Sequence, residues 1–226
     1  MIIQQGLIYE ATYGNKLQLT GFVDGFQTNI LIIPEEVEGK KVIQISPSAF
    51  ANNTCIEKVS MPESMEFIGT DAFENCSNLE TVELTPVANF KQALTLTIGC
   101  HAFSNCCKLS QFISKDRIVT LQAQCFRDCI FLSNLNVYIQ QVEALSFFCC
   151  NSLREIKFSY SARLDRNSLT NSSVKSLKFK GDGIIPQSTL KFISEHNIKI
   201  TCVPESNLEN LAYCGYIIEI TDKQNI

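Results

Sequence analysis

The stretch Ile68-Gly69-Thr70-Asp71-Ala72-Phe73-Glu74-Asn75-Cys76-Ser77-Asn78-Leu79-Glu80-Thr81-Val82-Glu83-Leu84 recurs along the chain, and this recurrence constrains the fold more than any other feature. Phe50, Phe73, Phe103, Phe126, Phe147 and Leu169 fall in one column, separated by 23, 30, 23, 21 and 22 residues. A small residue precedes each: Ala49, Ala72, Ala102, Cys125, Ser146 and Ser168. A branched aliphatic stands five positions earlier, at Ile45, Ile68, Ile98, Leu121, Val142 and Leu164. Three positions after the aromatic come Asn53, Cys76, Cys106, Cys129, Cys150 and Ser172, and six after come Ile56, Leu79, Leu109, Leu132 and Leu153. Strand-like pairs follow at Val59/Met61, Val82/Leu84, Phe112/Ser114, Leu135/Val137 and Ile156/Phe158. The series continues through Leu177/Phe179, Ile198/Ile200 and Ile218/Ile220.

A period of 20–29 residues with one short strand per repeat is the signature of a leucine-rich repeat solenoid. A single such turn cannot bury its apolar face alone, so neighbours stack into one continuous core with their strands side by side in a parallel sheet. Side chains alternate along a strand, so the residue between each apolar pair points outward.

The columns Ile68-Gly69-x-x-Ala72-Phe73-x-x-Cys76-x-x-Leu79-x-x-Val82-x-Leu84, with Met61-Pro62-Glu63-Ser64 leading into the next turn, resemble the BspA-like subfamily of leucine-rich repeat proteins. The resemblance implies an α/β fold class: a right-handed, curved solenoid with a parallel sheet on its concave face and short irregular or helical segments on its convex face. It also implies a non-catalytic, adhesion-type module that recognises a protein partner, displayed on a cell surface or secreted. Such repeats serve many recognition tasks, so the match speaks more to fold than to function.

One solenoid domain is expected over residues 1–226. Residues 1–44 form an amino-terminal β cap, 45–180 the BspA-like repeats, and 181–226 helix–strand turns with a closing cap. In the first segment Gly6–Glu10 and Lys16–Thr20 alternate as strands around a Tyr13-Gly14-Asn15 turn, and Leu31-Ile32-Ile33-Pro34 resembles a strand exit. A hairpin there would cover the open end of the core. The long step between Phe73 and Phe103 carries an insertion around residues 86–92, whose Phe90 is either exposed or folded back. Residues 188–195 look helical after Pro186, Ser206–Glu209 has the form of a capping box, and residues 217–220 close the sheet.

Eleven cysteines are an odd and high count. Four of them share the column that accepts Asn53 and Ser172, which suits a ladder of reduced thiols bonded to neighbouring backbone. Cross-links between adjacent turns are the alternative, since strand spacing lies within disulfide reach. The amino terminus lacks a basic segment followed by a long apolar stretch, so it does not read as a secretory signal, and no apolar run is long enough to span a bilayer. From these features alone the chain reads as cytoplasmic.

The residues offer little for catalysis. His101 and His196 are the two histidines, and His101 sits near Cys100, Cys106 and Cys107 in a spacing that matches no paired Cys ligand pattern. No phosphate loop or nucleophile elbow occurs. No catalytic residue, metal ligand or cofactor site is assigned, and the chain is not expected to be an enzyme. The outward positions are more informative: Ser60, Glu83, Ile113, Asn136, Lys157, Lys178, Lys199 and Glu219, with Lys175 and Lys180 close by. Stacked like charges repel unless offset, and Glu155 and Glu219 or an acidic partner would offset them. The strip is therefore either a solvated face or a docking strip. Lys157, Lys178, Lys199, Lys180, Asn136 and Ile113 are the candidate partner-binding residues. Net charge is −6 over residues 1–113 and +2 over 114–226, and the whole chain carries −4, which disfavours nucleic acid. The expected molecule is a monomer that binds an acidic protein; the alternative is an intracellular scaffold with no surface role.

Overall fold

The computed structural model describes residues 1–85, 95–165, 167–203, 207 and 218–220. The chain begins with an antiparallel meander of β1 (Ile2–Gln4), β2 (Leu7–Ala11) and β3 (Leu17–Phe22). The β2–β3 turn takes Gly14 and Asn15 through φ of 65° and 57°, the left-handed region these residue types tolerate. Next come β4 (Ile30–Ile32), β5 (Glu36–Val37) and β6 (Lys40–Ile45). The solenoid then winds through β7 (Lys58–Met61), β8 (Phe67–Ile68), β9 (Thr81–Leu84), β10 (Thr95–Ile98), β11 (Gln111–Leu121), β12 (Asn134–Val142) and β13 (Glu155–Leu164). It finishes with β14 (Ser176–Phe179), β15 (Gly183–Ile184), α1 (Gln187–Glu195), β16 (Lys199–Cys202) and β17 (Ile218–Ile220).

These strands build a β-solenoid of about eight turns with two parallel rows rather than one. The first row runs β4, β7, β9, the leading halves of β11, β12 and β13, then β14, β16 and β17. The second runs β3, β6, β8, β10, the trailing halves of β11, β12 and β13, then β15. The branched aliphatics of the repeat, expected as interior filling opposite a single sheet, are the inward residues of this second row. Ile45 pairs with Ile68, Ile68 with Ile98, and Ile98 with Leu121. In β11 and β13 the corner between the rows becomes a bulge inside one long strand, with register slips at Ile113/Ile118 and after Ile139.

The third side of each turn is not irregular. Positive φ recurs in pairs four residues apart: Ser48/Asn52, Asp71/Asn75, His101/Asn105, Gln124/Asp128, Leu145/Cys149 and Asn167/Asn171. Asn, Asp and His dominate these positions because their short polar side chains tolerate the left-handed region. Between them each aromatic donates its backbone N–H to the small residue of the next turn: Phe50 to Ala72 at 2.9 Å, Phe73 to Ala102 at 2.8 Å, Phe103 to Cys125 at 2.9 Å and Phe126 to Ser146 at 3.0 Å. The small residue is required because its carbonyl must come within bonding distance of the turn below. Among the described residues α1 is the one α-helix, so the repeats themselves are built from strands and hydrogen-bonded turns.

One hydrophobic cluster fills the interior from Leu7 to Cys202. Its axis is the aromatic column. Ring centroids of Phe50, Phe73, Phe103, Phe126 and Phe147 follow one another at 5.3, 5.3, 5.5 and 6.0 Å, with the last three pairs within 7° of coplanar. Phe112 meets the edges of Phe103 and Phe126. Gly69 and Gly99 allow backbones to close at the corner after the second row. A Cβ at 69 would lie 2.5 Å from Pro47 N, and one at 99 would lie 2.7 Å from Thr70 N. At the first row's open edge, Thr28 Oγ1 donates to Ile30 O at 2.8 Å and accepts from Ile30 N at 3.1 Å, which satisfies groups that would otherwise recruit another strand.

The expected helix at 188–195 is present as α1, and residues 218–220 of the expected final strand form β17. The insertion around 86–92, with Phe90, lies outside the described residues, as do Ser206 and Glu209 of the capping box. Phe103 touches rings on three sides, so Phe103→Ala should cost about 3–5 kcal/mol in chemical denaturation. Gly99→Ala should cost about 1–3 kcal/mol through overpacking, with no change in hydrophobic content.

Candidate functional site

The outward column of the first row is continuous over its first part. Ser60 pairs with Glu83, Glu83 with Ile113 and Ile113 with Asn136. Inward neighbours Val59, Val82 and Phe112 are fully buried, so the alternation that exposes the column is enforced by the core. Beyond β12, Lys157 pairs with Lys178, but Lys178 is followed by Thr201 and then Glu219. Lys199 is therefore not the third lysine of the stack: it sits one step away, opposite Ser176. The period-two pattern of Ile198, Ile200 and Cys202 allows two registers, and burial of Cys202 selects the one that sets Ile200 on Leu177.

The lysines also differ in their company. Lys178 Nζ lies 3.0 Å from Glu155 Oε2, and Lys199 Nζ lies 2.6 Å from Glu219 Oε1, so the two acids offset their charges within the row. Each pair is partly exposed and worth well under ~1 kcal/mol to stability. Lys157 is half-buried and has no ion pair among the described residues. Lys180, just past β14, reaches over the β13 turn and places its ammonium 3.6 Å from the ring centroid of Tyr138 on β12. Ile113, Asn136, Lys157, Lys178 and Lys180 thus belong to one face, while Lys199 lies at its margin. Tyr138 was not evident from the sequence, because its partner Lys180 lies two turns away.

The cysteine column forms a ladder of thiols. The Sγ of Cys76, Cys106, Cys129 and Cys150 each lies 3.1 Å from the backbone carbonyl of the aromatic one turn earlier: Phe50, Phe73, Phe103 and Phe126. They are free thiols, as are Cys55, Cys100, Cys107 and Cys149, so cross-linking between turns is not the arrangement found. Asn53 begins the column by accepting from Cys55 N and Ile56 N, both at 2.9 Å, while the buried Ser172 hydroxyl at its far end has no partner among the described residues. Burial pushes the Cys76 thiol up to about 12 and holds those of Cys106, Cys125, Cys129 and Cys150 above their ordinary range. Such thiols are poor nucleophiles. His101 Nδ1 lies 3.4 Å from Asp71 Oδ1, and among the described residues no three His, Cys, Asp or Glu side chains converge on a metal-sized site.

A buried guanidinium was also not legible. Arg117, in the β11 bulge, donates Nη1 to Met65 O at 2.6 Å and Nη2 to Glu63 O, joining corners of different turns. Desolvation lowers its pKa, while Glu63 and Glu35 oppose that shift. Nearby lies a cavity of about 280 Å³ lined by Lys16, Glu35, Lys41, Glu63 and Glu66. Its charges are largely matched: Lys16 lies 2.7 Å from Glu66, and Lys41 lies 3.5 Å from Glu35.

The BspA type leucine rich repeat region, in six copies, matches residues 27–93, 43–175 and 88–199. No curated protein matches the chain by sequence. The fold is similar to that of a leucine rich cell surface protein from Faecalibacterium prausnitzii A2-165, with 20% identity, a TM-score of 0.67 and coverage of 89% of this chain and 54% of that one. It is similar to a leucine-rich repeat protein of T. pallidum, with 16% identity, a TM-score of 0.55 and coverage of 88% and 97%. A leucine-rich repeat protein from Eubacterium ventriosum gives 19% identity, a TM-score of 0.54 and coverage of 73% and 50%. The chain thus spans about half the length of the Faecalibacterium and Eubacterium proteins.

The ladder thiols have raised values in the folded state, so their stabilising contribution is complete below the ordinary thiol value of 9.0 and is lost as pH climbs towards 12. Thermal melts should show stability falling from about pH 9 upwards, with native thiol titration at neutral pH reaching Cys55, Cys100, Cys107 and Cys149 and sparing the ladder. Arg117→Ala, which strips two buried carbonyls of their donor, should cost about 3 kcal/mol in a denaturant titration.

Proposed function

Because the chain belongs to the BspA-type leucine-rich repeat family, we propose that it is a non-catalytic recognition module that binds a protein partner through the outward face of its first strand row. The carrying observation is a partly exposed outward face, on which Ile113 pairs with Asn136 and Lys157 with Lys178, over a fully packed core. A solenoid offers a broad, rigid surface of this kind without a pocket, and rigidity lowers the entropic cost of docking. In this proposal residues 1–226 form one right-handed, curved domain with the first row on its concave side. The β1–β3 meander caps the amino-terminal end, and the molecule acts as a monomer. Its partner is an acidic protein, and the role is adhesion at a cell surface, as the name of the Faecalibacterium relative suggests.

A second role, as a scaffold inside the cell, draws support from the free thiols of the ladder, which suit a reducing compartment. No helix of the described residues is long and apolar enough to cross a membrane, and this bears on neither role.

A photo-crosslinker at Asn136, on the sheet face, and another at Asn105, on the turn face, test the site. Incubated with extracellular-matrix proteins and with extract of the source cells, the Asn136 form should give discrete adducts and the Asn105 form none. Lys157→Glu with Lys178→Glu should abolish those adducts with the melting temperature nearly unchanged. Equal labelling from both faces, or none from Asn136, would overturn the proposal. Adducts from matrix alone would support adhesion, and adducts from extract alone would support the scaffold.

A further inference from the structure

Two features at the corner between the strand rows narrow the partner's chemistry, and the inference drawn from them rests on the protein-binding role above. The first is the distribution of charge. Of the lysines near the first row, Lys178 and Lys199 are held by Glu155 and Glu219 at 3.0 and 2.6 Å. Lys157 and Lys180 have no carboxylate among the described residues. Lys180 is nonetheless fixed: its ammonium sits 3.6 Å from the Tyr138 ring centroid, two turns away. An aromatic face orients a cation without cancelling its charge, so the ammonium keeps its field towards solvent while losing its freedom. Ser159, in the turn between, is buried, and its hydroxyl donates to Ile139 O at 3.3 Å.

The second feature is an exposed aromatic on the same corner. Tyr160 is 68% exposed, yet its ring rests against Gly181 of the next turn, where a Cβ would come within 2.7 Å of the Tyr160 ring. The β13 bulge that carries it, with Ser161 at φ of 55°, is the slip that separates Phe158 from Arg163 against β12. A bulge of this kind re-aims side chains away from the row. Asp182, two residues from Lys180, accepts from Asn207 N at 2.8 Å through Oδ1.

We propose that this corner, built from Tyr138, Lys157, Lys180 and Tyr160, is the primary contact for an acidic, extended peptide segment of the partner. Carboxylates of the segment meet Lys157 and the Tyr138-held Lys180, and an apolar side chain of the segment lies on the Tyr160 ring. Uncancelled cations in fixed positions beside an exposed ring suit such a segment better than a bare lysine stripe would, since a stripe selects only charge density.

A fluorescein-labelled octa-glutamate peptide, with octa-lysine as control, tests this by anisotropy on the full chain at low salt and at about 0.15 M. Octa-glutamate should bind and octa-lysine should not. Lys157→Ala and Lys180→Ala should each weaken binding about two- to fivefold, whereas Lys108→Ala, on the turn face, should not. Tyr138→Phe keeps the aromatic face and should retain affinity, while Tyr138→Leu should match Lys180→Ala. Circular dichroism melts of each variant separate lost binding from lost fold. Octa-glutamate binding no better than octa-lysine, or equal for the Lys108 variant and the Lys180 variant, overturns the assignment. Tighter binding of a sulfated heparin oligosaccharide than of octa-glutamate also overturns it, in favour of a polyanion surface. Persistence of Asn136 adducts in a Lys157→Ala/Lys180→Ala variant would refute the corner alone and leave the protein-binding role standing.

Discussion

The structure depends on backbone hydrogen bonds that run from each turn to the next on every side of the coil. On two sides they are parallel strand ladders, and on the third they are bonds from alternate backbone N–H groups to the next turn, such as His101 to Ala123, Phe103 to Cys125 and Asn105 to Arg127. A buried backbone group without a partner costs as much as a lost hydrogen bond, so every turn must hold its neighbour's register. Once that is fixed, position n of one turn can only lie on position n of the next. The stacked phenyl rings and the Asn75–Asn52 and Asn105–Asn75 side-chain bonds are consequences of this rule.

The same rule explains the cysteines. The aromatic carbonyl at the start of the turn already serves one local N–H, as when Phe50 O accepts from Asn53, and it has capacity for a second, weaker donor. A thiol fills that role at 3.1 Å while remaining a small hydrophobe suited to the core. A stronger donor such as serine would bring a larger desolvation cost where the partner is missing, as the unpartnered Ser172 hydroxyl shows near the end of the column. The ladder is thus a packing solution, and its chemical inertness follows from burial.

Where the stacking rule is locally broken, side chains leave the columns. The bulges in β11 and β13 free residues from the columns: one sends Arg117 inward to bind carbonyls of the Glu63–Met65 corner, and the other sends Tyr160 outward. Tyr138 lies beneath the Lys180 ammonium, two turns away. Within the first row, by contrast, Lys178 and Lys199 are each held by an acid, Glu155 or Glu219, and Lys157 is left without one among the described residues.

Repetition is what a single sequence displays best. The aromatic, aliphatic and cysteine columns, the final helix and strand, and the family all followed from period and residue type alone, because stacking makes equivalent positions share an environment. Three things depended on the tertiary structure. The aliphatic column proved to be a second strand row, since two-residue strands such as Phe67–Ile68 carry too short a pattern to announce themselves. Lys199 left the lysine stack because Ile198, Ile200 and Cys202 satisfy either of two registers until the neighbouring strand chooses. Lys180 met Tyr138 two turns away, and Arg117 reached Met65 through the β11 bulge; contacts of this kind between turns leave no periodic trace in the chain that contains them.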